Sequence, residues 1–292
     1  MRRLAAAAGA ILVGWLGGPS LFGGGDAAAA PALWRVSDAD SRIYLFGTLH
    51  VLSPKAQWRT PLYDRVLEEA GAVWFEADLT RGDPETVRLL FRRYGSDPDV
   101  PLSRKLPPAD VQALARQTDL ARIEHLRPWA AALMLSVRPS LGRGATVEAG
   151  ADMAATRAAR AGGKTIRAFE TLEDQARMYA SLPQAAEIRY LSKVVRERAR
   201  RRITLPPGPV TLERAWLAGD LSRLGSSALE ADNPALYDAL LRRRNLAWAD
   251  RLAAEMAGGG TQLVNVGALH MAGDDGLPAL MAARGFTVER VQ

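Results

Sequence analysis

Cysteine is absent from this chain and histidine is nearly so, at 3 of 292 residues. The first absence rules out a disulfide framework and a lipid-acceptor cysteine. The second makes the position of every imidazole informative. Apolar runs of spanning length are missing too, since Leu4 to Leu16 falls short of the roughly 20 residues that cross a bilayer.

That run follows Arg2 and Arg3 and leads into the small-residue stretch DAAAAPA. Charge, apolar core and small-residue exit, in that order, mark a secretory signal peptide. The expectation is a signal peptide over residues 1–30, cut near Ala28 to Ala30, and one periplasmic or secreted domain over residues 31–292 with no transmembrane segment. The net charge is +6, with much of the excess in EIRYLSKVVRERARRR (187–202) and LLRRRN (240–245). Export separates the chain from nucleic acid, so no nucleic-acid partner is expected. The first run reads as a solvated helix face, or as a weak attraction for anionic lipid or polymer.

LWRVSD and SRIYLFG flank the polar turn DADS and read as an opening hairpin. PLYDRVLEEAG, with Pro at its start and Gly at its end, predicts a helix, and AVWFEADL a buried strand. Helical periodicity over 84–94, 107–119 and 126–137 predicts a helical insertion. EAGADMAATRAARAGG reads as a helix, KTIRAFE as a strand and TLEDQARMYASL as the helix that follows it. Further helices are expected over 185–202, 211–218 and 233–257, with LPPGP (205–209) as a rigid break, before the strand TQLVNVG, the helix GLPALMAARG and the strand FTVERV. Helices and strands alternate around a mostly helical middle, which gives an α/β (α+β) class with a central sheet.

Two strands end in the same phrase: YLFGTLH delivers His50 and VNVGALH delivers His270. Glu76 ends VWFE and Glu170 ends IRAFE. In an open α/β sheet the functional crevice lies off the carboxyl ends of the strands, so these four titratable side chains share one address. A glycine three residues before each histidine is expected to let the backbone turn sharply at the strand end. Two imidazoles with one or two carboxylates suit a divalent ion such as Zn, Mn or Co. Spacing alone favours two histidines that cap strand ends by hydrogen bonding, and the duplicated phrase is what raises the metal reading. His125, beside Glu124 and Arg127 in RIEHLRPW, reads as a surface residue.

Six ordered segments then carry a resemblance: LWRV…YLFGTLHVL, VWFEADL, GADMAATRAARAGGKTIRAFETLEDQ, AWLAGDL, RRRNLAWADRL and VNVGALHMAGDDGLPALMAARGFTV. From Trp34 to Val291 the chain resembles the TraB/GumN proteins, which are related to the Tiki metalloproteases. The resemblance implies a sheet built from two pseudo-repeated halves, each ending a strand in G-x-x-H, and a metal-dependent peptidase with a peptide or protein substrate. It implies His50, His270 and Glu76 as metal ligands, with Glu76 the general base in the other assignment. Glu170 would support the site or act as the alternative base. It also places Arg244 and Asn245 toward the site, where Arg244 could hold a substrate carboxylate or an oxyanion. The chain has AFET where the family leads one to expect a Gly-Leu-Glu type phrase. A ligand-binding protein is the alternative reading, since related two-half folds include ChaN-type haem-binding proteins; an interaction protein without turnover is another.

Overall fold

Among the described residues, six strands form one mixed sheet: β1 (Leu33–Ser37), β2 (Ser41–Thr48), β3 (Ala72–Ala77), β4 (Thr165–Glu170), β5 (Gly260–Gly267) and β6 (Thr287–Arg290), in the order β4-β3-β5-β2-β1-β6. The structure, a computed structural model, describes residues 30–78, 84–203, 212–224 and 226–292. The expected signal peptide up to residue 29 and the LPPGP break lie outside the described residues. Strands β4, β3, β5 and β2 run parallel, while β1 is antiparallel to both β2 and β6. The α/β class and the opening hairpin are therefore present.

Strand β5 is the last of the parallel strands in sequence, yet it lies between β2 and β3. Its Leu263 pairs with Tyr44 on one side and Val73 on the other. The chain thus skips a place between β2 and β3 and returns late to fill it. After β2 it enters the helix Pro61–Glu69, whose Tyr63, Val66 and Leu67 pack on one face of the sheet. After β5 it enters the helix Leu277–Ala283, whose Leu277 and Met281 pack on the other face. Where neighbouring strands send their connections to opposite faces, a crevice opens at their carboxyl ends. That crevice lies between β2 and β5.

Strand β3 is buried along its whole length and β2 along nearly all of it, as fits parallel strands covered on both faces. Alternation still sorts the side chains: Tyr44, Phe46, Val73, Phe75 and Leu263 face one core, and Ile43, Leu45, Trp74, Val264 and Val266 the other. On the second face the rings of Trp74, Phe169, Trp248 and His270 form a column with successive centroids 5.0, 4.8 and 4.5 Å apart. Phe169 stands where the expected Gly-Leu-Glu type phrase has leucine, and it supplies a stacked ring as well as apolar bulk.

The predicted insertion is present as the helices Pro84–Gly95, Pro108–Ala115 and Pro128–Leu141. The last is apolar around its circumference and forms the centre of a helical layer, with the helix Gln184–Ile203 packed on it through Leu191 and Val195. The helices differ from the sequence reading in places. Those at Leu102–Lys105 and Ser226–Asp232 have no counterpart in it. The helix expected over 233–257 is broken into Pro234–Tyr237, a π-helical turn at Asp238–Arg242 and Arg243–Met256. Among the described residues, no helix is long and apolar enough to cross a membrane.

Candidate functional site

The carboxyl ends of the parallel strands bring Glu170 (β4), Glu76 (β3), His270 (after β5) and His50 (after β2) to one edge of the sheet. All but Glu170 are buried, as are Asp152, Arg244 and Asn245. Glu170 keeps 16% of its side-chain surface. Its position is fixed by an abrupt strand-to-helix turn: Thr171 caps the next helix, accepting from the Asp174 amide, while Asp174 accepts from the Thr171 backbone.

The two histidines are held from behind by different groups. His270 Nδ1 lies 2.5 Å from Asn245 Oδ1, and Asn245 Nδ2 donates to the Asp275 carbonyl at 2.7 Å. The amide orientation therefore makes Nδ1 the donor and leaves the Nε2 lone pair facing the site. Burial, together with Arg244 and His50, pushes the His270 pKa down to about 3 against the pull of Glu76. His50 Nδ1 lies 3.1 Å from Asp152 Oδ2, not aligned for a hydrogen bond, and His50 Nε2 has no protein partner. Burial disfavours its charged form, but the Asp152 charge, helped by Glu76, outweighs this and raises its pKa.

Asp152 stands in the first turn of the helix Ala151–Ala161, whose N-cap is Gly150. A Cβ at Gly150 would meet the His50 carbonyl oxygen at 2.4 Å, and the Ala151 amide donates to the Leu49 carbonyl at 2.8 Å. Glycine thus brings the start of this helix, and its carboxylate, against the His50 loop. The glycines of the two G-x-L-H phrases act similarly. Neither has a positive φ; a Cβ on Gly47 would meet Ala268 Cα at 2.8 Å, and one on Gly267 would meet Glu76 Oε1 at 2.9 Å. The expected sharp turn is replaced by close approach.

Arg244 ties the carboxylates together. Its Nε donates to Glu170 Oε1 at 2.8 Å, and its Nη2 to Glu76 Oε2 at 2.7 Å and Glu170 Oε2 at 2.9 Å. Its Nη1 donates to the Leu240 carbonyl at 2.9 Å and approaches His270 Nε2 at 3.2 Å. A guanidinium has five N–H donors, and each has a partner here. Leu240 belongs to the π-helical turn, a distortion frequent at functional sites. Trp248 carries both planes, 4.5 Å from the His270 ring and 4.5 Å from the Arg244 guanidinium carbon. Glu76 Oε1 accepts from the Gly267 amide at 2.6 Å. Burial alone would raise the Glu76 pKa; Arg244, the imidazoles and that amide hold it down at about 2.

Gly267 is the point on which the donors converge: a Cβ there would lie 2.9 Å from Glu76 Oε1, 3.4 Å from His50 Nε2 and 3.7 Å from His270 Cδ2. The donor set fits a divalent ion in kind, because both rings turn Nε2 inward with an oxygen facing Nδ1, and His50 Nε2 is buried without a partner. It is not closed around one. Among the described residues no three His, Asp or Glu groups are disposed to clasp an ion, and Arg244 lies against His270 Nε2.

His50, His270, Glu76, Glu170, Arg244 and Asn245 are thus gathered in one place, and His125 is exposed away from it. Sequence reasoning gave no role to Asp152, Trp248 or Gln175, whose Nε2 is 3.5 Å from Glu76 Oε2. The available signal was a carboxylate two residues after Gly150, in the first turn of an otherwise Ala-rich helix. Arg244 has its donors committed in this arrangement and orients Glu76 and Glu170.

Comparison with known proteins agrees with the six segments. The sequence profile of the TraB/PrgY/gumN family matches residues 32–290. The uncharacterized protein YbaP of Escherichia coli K12 is 24% identical over 86% of this chain and 92% of its own, and that of Shigella flexneri is 27% identical over the same shares. No solved structure matches the chain. With nearly all of the described fold inside the matched span, the chain belongs to the TraB/PrgY/gumN family.

Proposed function

We propose that this protein is an exported, metal-dependent hydrolase, most simply a peptidase, whose ion is held by His50 Nε2, His270 Nε2 and Glu76. The observation that carries the reading is the convergence of these donors on Gly267 with His50 Nε2 unpartnered. Charge supports it. Three carboxylates, Glu76 and Glu170 against Arg244 and Asp152 behind His50, share a nearly dry site with that one guanidinium. A divalent cation brings that sum to zero with both imidazoles neutral. Zn, Mn and Co all accept such a set of nitrogen and oxygen donors.

A bound ion would supply Lewis acidity toward a scissile carbonyl. The chain's own residues do the rest. Asp152 and Asn245 fix the two imidazoles with Nε2 inward. Glu76, pinned at both oxygens by N–H donors, suits a ligand better than a base, which must turn to receive a proton. Glu170 sets Arg244, and Arg244 must release His270 Nε2 for that ring to ligate. The N-terminal charge, apolar core and Ala-rich exit support export, which intact mass of the exported protein checks through loss of roughly 26 to 32 residues.

Elemental analysis of the purified protein is the deciding measurement. His50→Ala and His270→Ala should each strip the ion, His125→Ala should keep it, and Glu76→Gln should lose ion and cleavage together. Retention of metal in both histidine variants would remove the two-imidazole site. The bond from Arg244 to His270 Nε2 favours a second reading, a ligand-binding protein on the same fold in which the guanidinium serves as the resident cation. Metal-free protein with full structure and no cleavage of a broad peptide library would favour it, and a Soret band on haem titration would make that ligand haem.

A further inference from the structure

One part of the duplicated phrase has no place in ion binding: the leucine before each histidine. Leu49 and Leu269 both line the cleft, which is partly open to solvent and is bordered by Thr48, His50, Gly267 and His270. Leu212, Leu224, Leu240 and Leu241 line it with them. Leucines from separate parts of the chain therefore line the cleft together, beside the candidate reaction centre. Among the described residues no carboxylate lines it, and the guanidinium that does, Arg244, keeps four of its five donors on Glu76, Glu170 and the Leu240 carbonyl even where it releases His270. His50 Nε2 and Thr48 Oγ1 there are buried without a hydrogen-bond partner.

We infer that this leucine wall is a side-chain subsite for an uncharged aliphatic group of about leucine size, carried next to the carbonyl that faces His50 and Thr48. A cationic or anionic side chain would have to shed its water against leucines with no partner on the wall, a cost of several kcal/mol. An aliphatic one gains about 25 cal/mol for each Å² it buries. Thr48 can donate its hydroxyl proton to the carbonyl, which fixes the end of the ligand from which the side chain departs. The substrate class is thus peptides with leucine, or a residue of like shape, flanking the bond to be cut; a short branched acyl chain presents the same chemistry. Only the cleavage arm of this inference rests on the hydrolase reading.

Two measurements separate the subsite from that reading. In the first, metal-loaded protein is given a peptide library randomised around one bond, alongside acyl esters of matching chain shape. Leucine should exceed alanine by roughly 10- to 200-fold in kcat/KM, the discrimination one apolar pocket supplies, and lysine and glutamate should be poorest. Leu212→Glu, at a half-buried position that tolerates a charge, should gain lysine substrates at the expense of leucine ones. In the second, N-acetyl-leucinamide and N-acetyl-lysinamide are titrated while the leucine methyl signals are followed by NMR. The leucine compound should shift those of Leu49, Leu240, Leu241 and Leu269, the lysine compound should not, and Leu240→Ala should weaken binding without unfolding. Cleavage with no aliphatic preference, or equal response to both amides, overturns the subsite. Binding as described with nothing cleaved leaves the subsite standing and sinks the hydrolase reading.

Discussion

His50 and His270 arise from the same four-residue phrase on adjacent parallel strands, and they end in opposite electrostatic states. His50 is backed by the carboxylate of Asp152 and its pKa is raised; His270 is backed by the amide of Asn245, faces Arg244 and has a pKa of about 3. The repeated phrase delivers two rings to one edge of the sheet. What each ring can do there is set by residues the phrase does not contain. A pair of this kind, one imidazole drawn toward a proton and one kept neutral, cannot be read as two equivalent ligands even where both Nε2 atoms turn inward.

The hardest way to break the comparison is to remove the cation between the two halves. Arg244→Met leaves Glu76 and Glu170 without their shared partner in a nearly dry site, and stripping one side of a buried charge network costs about 3–5 kcal/mol. Urea unfolding at neutral pH should show that loss, and part of it should return at acid pH as the two carboxylates take up protons. Arg244→Lys should rescue little, since an ammonium cannot reproduce the five-donor pattern. Equal stability of Arg244→Met and wild type would mean that solvent reaches the carboxylates.

The opposite shifts also predict opposite pH slopes in metal-free protein. His50 has a folded pKa above its unfolded value, so its contribution is complete below about 6.5 and is lost as pH rises through the folded pKa. His270 is depressed: its neutral form stabilises the fold above about 6.5, and that contribution is lost as pH falls from there toward about 3. Glu76, lowered to about 2, adds a loss of the same direction further into acid. Stability should therefore peak near the ordinary imidazole pKa. Asp152→Asn should remove the decline on the alkaline side and His270→Gln should reduce that on the acid side to the part owed to Glu76, both measured by urea midpoints across pH. A flat profile would show that neither imidazole is shifted by its surroundings.

Asn245→Asp sharpens the same point by making the two backing groups alike. The imidazole of His270 should then titrate well above about 3, by one unit or more, worth about 1.4 kcal/mol per unit, as read from its ring-proton NMR signals in chelated protein. An unchanged His270 titration would assign its depression to burial and Arg244 alone.

Much of this arrangement was legible because it is local. Strand ends, the hairpin, the insertion helices and the placing of His50, His270, Glu76 and Glu170 all follow from patterns a few residues long. What was not legible depends on neighbours distant in the chain. The insertion of β5 between β2 and β3 is a property of topology, and it alone makes the two histidines neighbours. Asp152 sits in a helix whose pattern gives no sign of what its first turn faces. The π-helical turn at Asp238–Arg242 is invisible to a search for 3.6-residue periodicity, yet it precedes Arg244 and supplies the Leu240 carbonyl that guanidinium uses.

The smallest effect tests whether the ring column matters to one half alone. Phe169 stacks between Trp74 and Trp248, and Trp248 in turn lies under His270, whereas His50 has no ring in this column. Phe169→Leu keeps apolar bulk in the slot but gives up two stacked contacts, each worth about 0.5–1.5 kcal/mol at most beyond the area buried. Part of that is recovered as Trp248 resettles on leucine, so a net loss of about 1 kcal/mol in urea unfolding is expected. The sharper readout is selective: the His270 ring signals should shift and broaden as Trp248 loses its support, while those of His50 stay in place. Equal disturbance of both rings would mean that the two histidines share one framework and that the contrast between them is carried by charge alone.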